Sequence, residues 1–445
     1  MKEGQEGFNP FRAWFNWFSR PEPVVPEATP APAAAPETAP AVTPVVTPVV
    51  TPVVTPVATP AVAPESIPAE APSAPGVVAA PPSTAPSVDA APVTVTSTAS
   101  TASATPASAG PAAAVTRSGI ALLLPLRAPA FLRAAEVTRA GFMAAREAGK
   151  NPVAVQVIET DGSPQHIHAA YRDAAAHALV VVGPLTRSEV GALVDALHGA
   201  AMPVPTLVLN LPEPSAARTG AARGAAALPP QMRALALNIE HEAASAARAV
   251  YRPDAAQAAV VVSTGSVLQK RAAAAFTDAW LHLGGQISNP IEFGGSLAQV
   301  RQGVERARAN IVFLAAGAGH ARQLRPYLGR NTTVIATSQV YAGPVKSDAK
   351  KQHDMNGIRF IDMPWLHQPD RAALGFALSG TPLSPDLERL YALGIDAYRV
   401  ASELARGQSV FELEGVTGKL RVQANAIERE PIQAEYRDGE VSQVR

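Results

Sequence analysis

The chain has 445 residues, no cysteine and a formal net charge of zero. That length allows two or three ordinary domains, and the lack of cysteine excludes disulfides, cysteine metal sites and thiol nucleophiles. Residues 1–117 carry 4 Lys/Arg against 8 Asp/Glu, whereas the remaining 328 residues carry 33 against 29. A surplus of four positive charges over such a length gives no clustered basic face, so nucleic-acid binding is not expected.

The first 20 residues form an aromatic N-terminal segment. No basic region followed by an apolar core and a cleavage site is visible, and no apolar run reaches the ~20 residues that span a bilayer. On a helix, four aromatic side chains would share one face and could lie in a membrane interface or contact a partner: Phe11, Trp14, Phe15 and Phe18. The alternative, a disordered leader or a wrongly assigned start codon, stays open.

Residues 21–117 are predicted to be a disordered tether rich in Pro, Ala and Thr. Of the 43 prolines, 23 precede Ser118, and the four-residue period TPVV runs from Thr43 to Ala58. Proline at every fourth position removes backbone donors and prevents a helix, so an extended, polyproline-like chain is expected. A dispensable low-complexity insertion is the alternative.

Residues 118–445 are predicted to form one domain of two lobes. Short apolar runs alternate with helical patterns, which is typical of parallel sheets covered by helices on both faces. A first series has strands at Gly119–Leu126, Val153–Asp161, Ala178–Leu185 and Pro205–Asn210. A second series has strands at Ala258–Ser263, Ile287–Phe293, Ala309–Gly317, Thr332–Ser338 and Gly357–Trp365. The sequence therefore predicts an α/β fold with two parallel sheets and a cleft between them.

A long helix and a hairpin are predicted near the C-terminus. Ser384 is a suitable N-cap for a helix from Pro385 to Arg406, and Gly407 suits its end. Its polar residues share one stripe, so the rest of the helix is expected to be buried: Arg389, Asp396, Arg399, Glu403 and Arg406. A turn at Asp438-Gly439 joins two of the strands that follow.

Candidate ligand or partner residues follow the predicted strands, because ligands of open parallel sheets bind outside the carboxyl ends of the strands. They are Arg127, Gly183, Pro184, Thr186, Asn210, Thr337, Ser338, Asp362 and Trp365.

Two of these groups allow a second interpretation. Trp365 offers a stacking face and Asp362 a charge, but Trp365 could equally fill a seam between the lobes while Asp362 caps a turn. Arg127 and Thr186 lie near helix N-termini and could steady an anion, although ordinary loop polarity also explains them.

Catalytic motifs are absent from the sequence. There is no G-x-S-x-G, H-E-x-x-H or G-x-x-x-x-G-K-[ST], and Gly418-Lys419 is followed by leucine in a strand-like tail. His166 and His168 could hold a metal on a strand, but they lie in a predicted helix start without a third ligand. We therefore predict a protein that is not an enzyme and has no cofactor or metal.

Several motifs resemble a known family. IALLLPL, VVGPL and the late YALGIDAYRVASELA helix are similar to type I periplasmic binding proteins. TSQVYAG (Thr337–Gly343), GIRFIDMPW (Gly357–Trp365), RLYALGIDAYR (Arg389–Arg399) and GVTGKLRV (Gly415–Val422) resemble the LppC/LpoA family of penicillin-binding-protein activators. The resemblance covers residues 118–445 and implies the two-lobed type I periplasmic-binding-protein-like fold.

The resemblance also implies a function and a location. Members of that family are outer-membrane lipoproteins that reach through the periplasm to a bifunctional peptidoglycan synthase and stimulate its transpeptidase. The expectation here is a non-catalytic regulator in the periplasm, associated with the outer membrane, although the lipid-bearing cysteine is absent. A receptor for amino acids or peptides is the alternative; Leu209–Pro214 lacks the hydroxyls that such receptors offer to a ligand carboxylate. A structural tethering protein is the third hypothesis.

Overall fold

The computed structural model of the protein describes residues 116–198, 202–213, 228–344, 352–368 and 375–444. The aromatic side chains Phe11, Trp14, Phe15 and Phe18, and nearly all of the predicted tether, lie outside the described residues. The division at residues 20 and 117 therefore stays a prediction.

The first lobe is built on a parallel sheet of five strands in the order β2-β1-β3-β4-β5. Alternate residues of β1 belong to two apolar clusters on opposite faces, which is why this strand is a continuous apolar run. The strands are β1 (Ile120–Leu124), β2 (Val155–Glu159), β3 (Val180–Val182), β4 (Thr206–Val208) and β5 (Met232–Ala234). The helices are α1 (Leu132–Ala148), α2 (Ile167–His177) and α3 (Arg187–Ala196).

The second lobe is built on a sheet in the order β16-β15-β11-β10-β9-β6-β7, with β8 also paired to β6. The six strands β6 to β11 are parallel, and β15 pairs with β11 in the antiparallel direction. Those strands are β6 (Ala258–Ser263), β7 (Gln286–Ile287), β8 (Ile291–Glu292), β9 (Ile311–Ala315), β10 (Thr333–Ala336) and β11 (Ile358–Asp362). Its helices are α4 (Ile239–Val250), α5 (Val267–His282), α6 (Leu297–Ala307), α7 (Ala318–Leu324) and α8 (Pro364–His367).

The predicted two-lobed α/β fold is confirmed, with one difference in the second series. The strand expected at Ile287–Phe293 is divided into β7 and β8. Pro290 lies between the two pieces and has no N–H to donate to a neighbouring strand, so the ladder is interrupted there.

The C-terminal region contains the predicted helix and hairpin. Helix α9 (Pro385–Ala405) is capped by the Ser384 side chain, which accepts from the Leu387 N–H at 3.4 Å. Strands β12 (Phe411–Glu414), β13 (Lys419–Val422) and β14 (Ile427–Glu430) form a third, antiparallel sheet. The hairpin of β15 (Ile432–Arg437) and β16 (Glu440–Gln443) turns at Asp438-Gly439, where both φ angles are positive.

Helix α9 packs on the first lobe, although it follows the second lobe in the chain. It lies against α1 and contacts β1 and β3. A Cβ at Gly141 of α1 would lie 2.0 Å from the Tyr391 carbonyl oxygen, and one at Gly394 of α9 would lie 2.1 Å from the Thr138 carbonyl oxygen. Both glycines are thus required because the two helix backbones touch.

One expectation about α9 is wrong. The polar stripe is not exposed throughout, because Arg389 is 3% exposed and Asp396 is fully buried. Each of these two side chains is held by hydrogen bonds inside the molecule, which compensates for the loss of water around a charge.

Replacing Gly394 by alanine should destabilise the protein, although alanine is the better helix former. We expect the free energy of unfolding to fall by about 1–3 kcal/mol, because the added methyl forces α1 and α9 apart. Urea denaturation followed by circular dichroism measures this. The control is Gly319→Ala in α7, where a Cβ meets nothing within 4 Å; equal effects of the two changes would contradict the close-contact explanation.

Candidate functional site

The cleft between the lobes is nearly filled by protein side chains. Its cavity has a volume of about 50 Å³, whereas pockets for small ligands usually measure roughly 300–1,000 Å³. Residues of both lobes and of α9 border it, among them Asn210, Glu242, Ser338 and Arg389. In this conformation the cleft has room for a few water molecules only.

A buried ion pair closes the cleft. Arg389, in the second turn of α9, donates from Nε to Asp362 Oδ1 at 3.0 Å and from Nη2 to Asp362 Oδ2 at 2.8 Å. Asp362 is the last residue of β11, and the two side chains are 4% and 1% exposed. Two parallel hydrogen bonds of this kind are the strongest arrangement available to an arginine and a carboxylate. Since α9 packs on the first lobe, this pair fastens one lobe to the other.

Further hydrogen bonds complete the surroundings of the ion pair. His367 Nε2 lies 2.9 Å from Asp362 Oδ2, and Arg389 Nη1 donates to Asp386 at 2.8 Å. Arg389 Nη2 also donates to the Ser338 carbonyl at 3.1 Å, and the Ser338 N–H donates to Glu242 at 3.0 Å. Every member of the pair therefore has partners in place of water, which a buried ion pair requires.

The ion pair shifts the titration of its members. Burial alone would raise the pKa of Asp362, but the charge of Arg389 and the hydrogen bonds from His367 and Arg389 outweigh it and lower the pKa to about 2. Burial likewise opposes the Arg389 charge, yet Asp362 raises the pKa of Arg389. For Glu242, burial and the nearby Asp362 charge raise the pKa. The site thus holds one firmly ionised carboxylate beside one that resists ionisation.

Trp365 fills a seam, which was one of its two predicted roles. Its ring is fully buried and tilted against Tyr391, and its Nε1 donates to Glu388 at 2.7 Å. The indole face is therefore not available for stacking in this conformation. Asp362 accepts from the Met363 N–H, as a turn cap would, but its main partner is Arg389.

Three candidates after β3 have structural roles here. A Cβ at Gly183 would lie 2.1 Å from the Leu123 carbonyl oxygen, and the Pro184 carbonyl accepts from the Leu209 N–H at 3.1 Å. Thr186 is the N-cap of α3: its hydroxyl accepts from the Glu189 N–H and donates to the Glu189 carboxylate at 2.8 Å. That reciprocal contact resembles a capping box.

The remaining candidates lie in three kinds of place: the cleft, the buried interior and the surface. Asn210 and Ser338 border the cleft cavity. Thr337 is fully buried, and Arg127 is exposed, with its N–H donating to the Thr160 carbonyl at 3.0 Å. Of the nine candidates, Asn210 and Ser338 alone are among the described residues that border the cavity.

Asp396 organises the turn that precedes β13. Its carboxylate accepts from the N–H groups of Val416 and Thr417 at 3.0 and 2.8 Å and from the Thr417 hydroxyl at 2.7 Å. Burial raises the pKa of Asp396, although these donors oppose the shift. The motif around Gly418 is thus a turn folded about a carboxylate.

His166 lies in a polar surface contact at the start of α2. Its Nδ1 is 2.7 Å from Asp161, and its side chain is 73% exposed. Within the described ranges, no group of three or more His, Asp or Glu side chains is placed to hold a metal ion. No helix of the same ranges is both long enough and apolar enough to cross a membrane.

Sequence reasoning missed Arg389, Glu242 and His367. Arg389 was expected only as part of the polar stripe of α9, because that helix carries several other charged residues and the sequence singles out none of them. Arg187 and Arg271, from opposite lobes, also border the cavity and were not foreseen.

Solved structures share this fold. A structure from Chromobacterium violaceum, described as a "putative branched-chain amino acid ABC transporter", is 32% identical, with a TM-score of 0.57 over 71% of this chain and 99% of that chain. The LpoA (YraM) C-domain from Haemophilus influenzae, described as a regulator of PBP1A, is 24% identical, with a TM-score of 0.56 over 73% of this chain and 99% of that domain.

Curated sequences are also similar. Penicillin-binding protein activator LpoA of H. influenzae is 28% identical over 334 residues, which are 73% of this chain and 55% of that protein. The Escherichia coli K12 protein of the same name is 27% identical over 344 residues, 65% of this chain and 48% of that protein. The chain thus spans about half the length of these relatives.

Two lobes with mainly parallel sheets and a cleft between them, joined by a helix that returns to the first lobe, define a type I periplasmic-binding-protein-like fold. Residues 112–439 match the family model described as "LppC putative lipoprotein". The chain belongs to the LppC family.

Replacing Asp362 by asparagine should leave the Arg389 charge buried without its counter-ion. We expect a loss of about 3–5 kcal/mol in the free energy of unfolding, measured by urea denaturation at pH 7. Asp386→Asn is the matched control, because Asp386 is 27% exposed and makes a single contact to the same arginine; its loss should be about 1 kcal/mol or less. Equal losses would show that the bidentate pair has no special weight.

The contribution of the ion pair should also depend on pH. Because the pKa of Asp362 in the fold is about 2, below its ordinary value of 3.8, the pair stabilises fully above about pH 4. This stabilisation is lost as the pH falls towards 2. The difference in unfolding free energy between the wild type and Asp362→Asn should therefore shrink by about 2 kcal/mol between pH 5 and pH 2. A difference that stays constant over this range would contradict the assignment.

Proposed function

We propose that this protein is a non-catalytic regulator of peptidoglycan synthesis that binds a bifunctional penicillin-binding protein and stimulates its transpeptidase. One observation carries the proposal: 73% of the chain aligns with 99% of the C-domain of an LpoA that is described as a regulator of PBP1A. The names of the curated relatives, which are penicillin-binding protein activators, support the same function.

The closed cleft supports a role in contacting another protein. A partner the size of a synthase needs an extended, well-ordered surface and no deep cavity. The ion pair between Arg389 and Asp362 holds the two lobes in one arrangement, and a preorganised surface loses less conformational entropy on binding.

The state of the polar side chains supports a protein without catalysis. Asp362 and His367, a carboxylate and an imidazole that a hydrolase could use, are each 1% exposed and bonded to one another. General acid–base chemistry needs such groups within reach of a substrate, and here they are enclosed.

A solute-binding receptor is the second candidate. It is favoured by the 32% identity to the structure from C. violaceum and its described relation to amino-acid transport. The cavity of about 50 Å³ disfavours it, because a receptor of this fold would have to open the cleft and break the ion pair before a ligand could enter.

We propose the periplasm, in association with the outer membrane, as the place of action, in line with the family description as a lipoprotein. In this arrangement the tether of residues 21–117 keeps the two-lobed domain away from its anchor. At ~3 Å per residue an extended tether could reach well over a hundred ångströms.

The decisive experiment adds the purified full-length protein to each bifunctional penicillin-binding protein of the source organism, with lipid-linked peptidoglycan precursor as substrate. With the cognate synthase we expect a larger fraction of cross-linked muropeptides, measured by chromatography, and direct binding, measured by biolayer interferometry. Synthase that has been inactivated with penicillin is the control, since its transpeptidase cannot respond.

No binding and no stimulation with any of these synthases would refute the proposed function. A thermal shift on addition of leucine, isoleucine or valine, without stimulation, would instead favour the receptor. Because an opened cleft requires that the ion pair break, Asp362→Asn should then bind such ligands more tightly than the wild type.

A further inference from the structure

A second and much larger cavity lies away from the cleft. Its volume is about 760 Å³, within the range of small-molecule pockets. It is bordered by α4, by the end of β11 and by the strands β13, β14 and β15, and we call it the arginine pocket after Arg248, Arg421 and Arg429. Helix α4 separates the two cavities, since His241 borders the arginine pocket and the next residue, Glu242, borders the cleft.

Arg429 is the central side chain of this pocket. It is 6% exposed, and its Nη1 donates to the Thr417 carbonyl at 3.1 Å. Its Nε and Nη2 are buried and have no hydrogen-bond partner among the described residues. Buried donors almost always have partners, so two free donors on one guanidinium require an explanation.

The nearby carboxylates do not supply the missing partners. Glu242, Asp362 and Asp396 act on Arg429 through their charges only. Asp362 is bonded to Arg389, Asp396 to the turn at Thr417, and Glu242 to the Ser338 N–H. These carboxylates lessen the cost of burying the Arg429 charge while its Nε–Nη2 edge stays open.

The free edge of Arg429 has the geometry of a carboxylate receptor. In Arg389 the same two nitrogens, Nε and Nη2, hold both oxygens of Asp362 at 3.0 and 2.8 Å. The planar fork of arginine matches the two oxygens of a carboxylate. Arg389 therefore shows, within this molecule, which ligand chemistry the edge of Arg429 accepts.

Two more polar atoms at the pocket are buried without a partner: His241 Nδ1 and Gln433 Nε2. The surroundings of His241 disfavour a further positive charge: burial and then the charges of Arg429 and Arg248 lower the pKa of His241 to about 3. Glu428 and Glu430 also border the pocket but are exposed at its rim, and Glu430 lies 3.6 Å from Arg421.

We propose that the arginine pocket binds a carboxylate-bearing ligand whose carboxylate pairs with the Nε–Nη2 edge of Arg429 and whose remaining polar atoms contact Gln433 and His241. Nε and Nη2 of Arg429 are buried, so binding requires that a neighbouring side chain move and expose them. The carboxylate belongs either to a free organic acid or to the C-terminus of a short peptide.

The test uses the full-length protein with ¹⁵N-labelled arginine. Two acids are titrated, succinate and acetyl-alanyl-alanine, each beside its uncharged amide, while the Arg429 Nε resonance is followed by NMR and heat by calorimetry. We expect saturable shifts with an acid and none with its amide; the acid that binds more tightly identifies the source of the carboxylate.

Arg429→Lys keeps the charge but removes the fork, so affinity should fall about tenfold or more. Arg325→Lys is the control: Arg325 is a half-buried arginine, bonded to the Asn356 carbonyl at 2.9 Å, and does not border the pocket. It should leave binding unchanged.

Gln433→Leu provides a second variant that retains Arg429 and should weaken the same acid, so the test does not depend on one substitution. An Arg429 Nε resonance that responds to neither acid, or that responds equally to acids and amides, would show that the pocket does not recognise a carboxylate and would overturn the proposal. Since none of these readouts involves a synthase, failure here is distinct from failure of the proposed function.

Discussion

The arrangement of the two lobes depends on one buried ion pair, between Arg389 and Asp362. Withdrawing two charges from water is costly, and the cost is offset only when geometry and further hydrogen bonds are nearly complete. Here both carboxylate oxygens and all three guanidinium nitrogens have partners. Such completeness exists in one relative placement of α9 and β11, so the pair also fixes how the lobes meet.

That placement requires the close contact between α1 and α9. The glycines at 141 and 394 let the two helix backbones touch, which sets the depth of α9 on the first lobe. The second turn of α9 then brings Arg389 to the end of β11. Steric and electrostatic constraints are thus connected: the two glycines set the position of α9, and α9 brings the ion pair together that closes the cleft.

The fold could be predicted from the sequence because local residue patterns determine its strands, helices and turns. Apolar runs such as Ile120–Leu124, the cap at Ser384 and the turn at Asp438-Gly439 each act over a few residues. The ion pair could not be predicted in this way. Its partners are 27 residues apart, and a charged residue in a helix is ordinarily expected to face water.

Trp365 shows a different limit of sequence reasoning. A tryptophan at the end of a strand suits a ligand contact and a buried seam equally well, since both need a large apolar ring with one donor. The burial of its ring and the hydrogen bond from its Nε1 to Glu388 distinguish the two, and both depend on the folded structure. The free Nε–Nη2 edge of Arg429 could not be predicted either, because the lack of a hydrogen-bond partner depends on the fold and not on any sequence pattern.

The return of α9 to the first lobe has a consequence for how the chain acquires its structure. The first sheet is finished by residue 234, yet the helix that covers one of its faces begins only at Pro385. During synthesis from the N-terminus, the apolar face of β1 and β3 must therefore wait for some 150 further residues, while the second lobe is already forming. Contacts so distant along the chain slow folding, and the unfinished first lobe is the species that chaperones would have to protect.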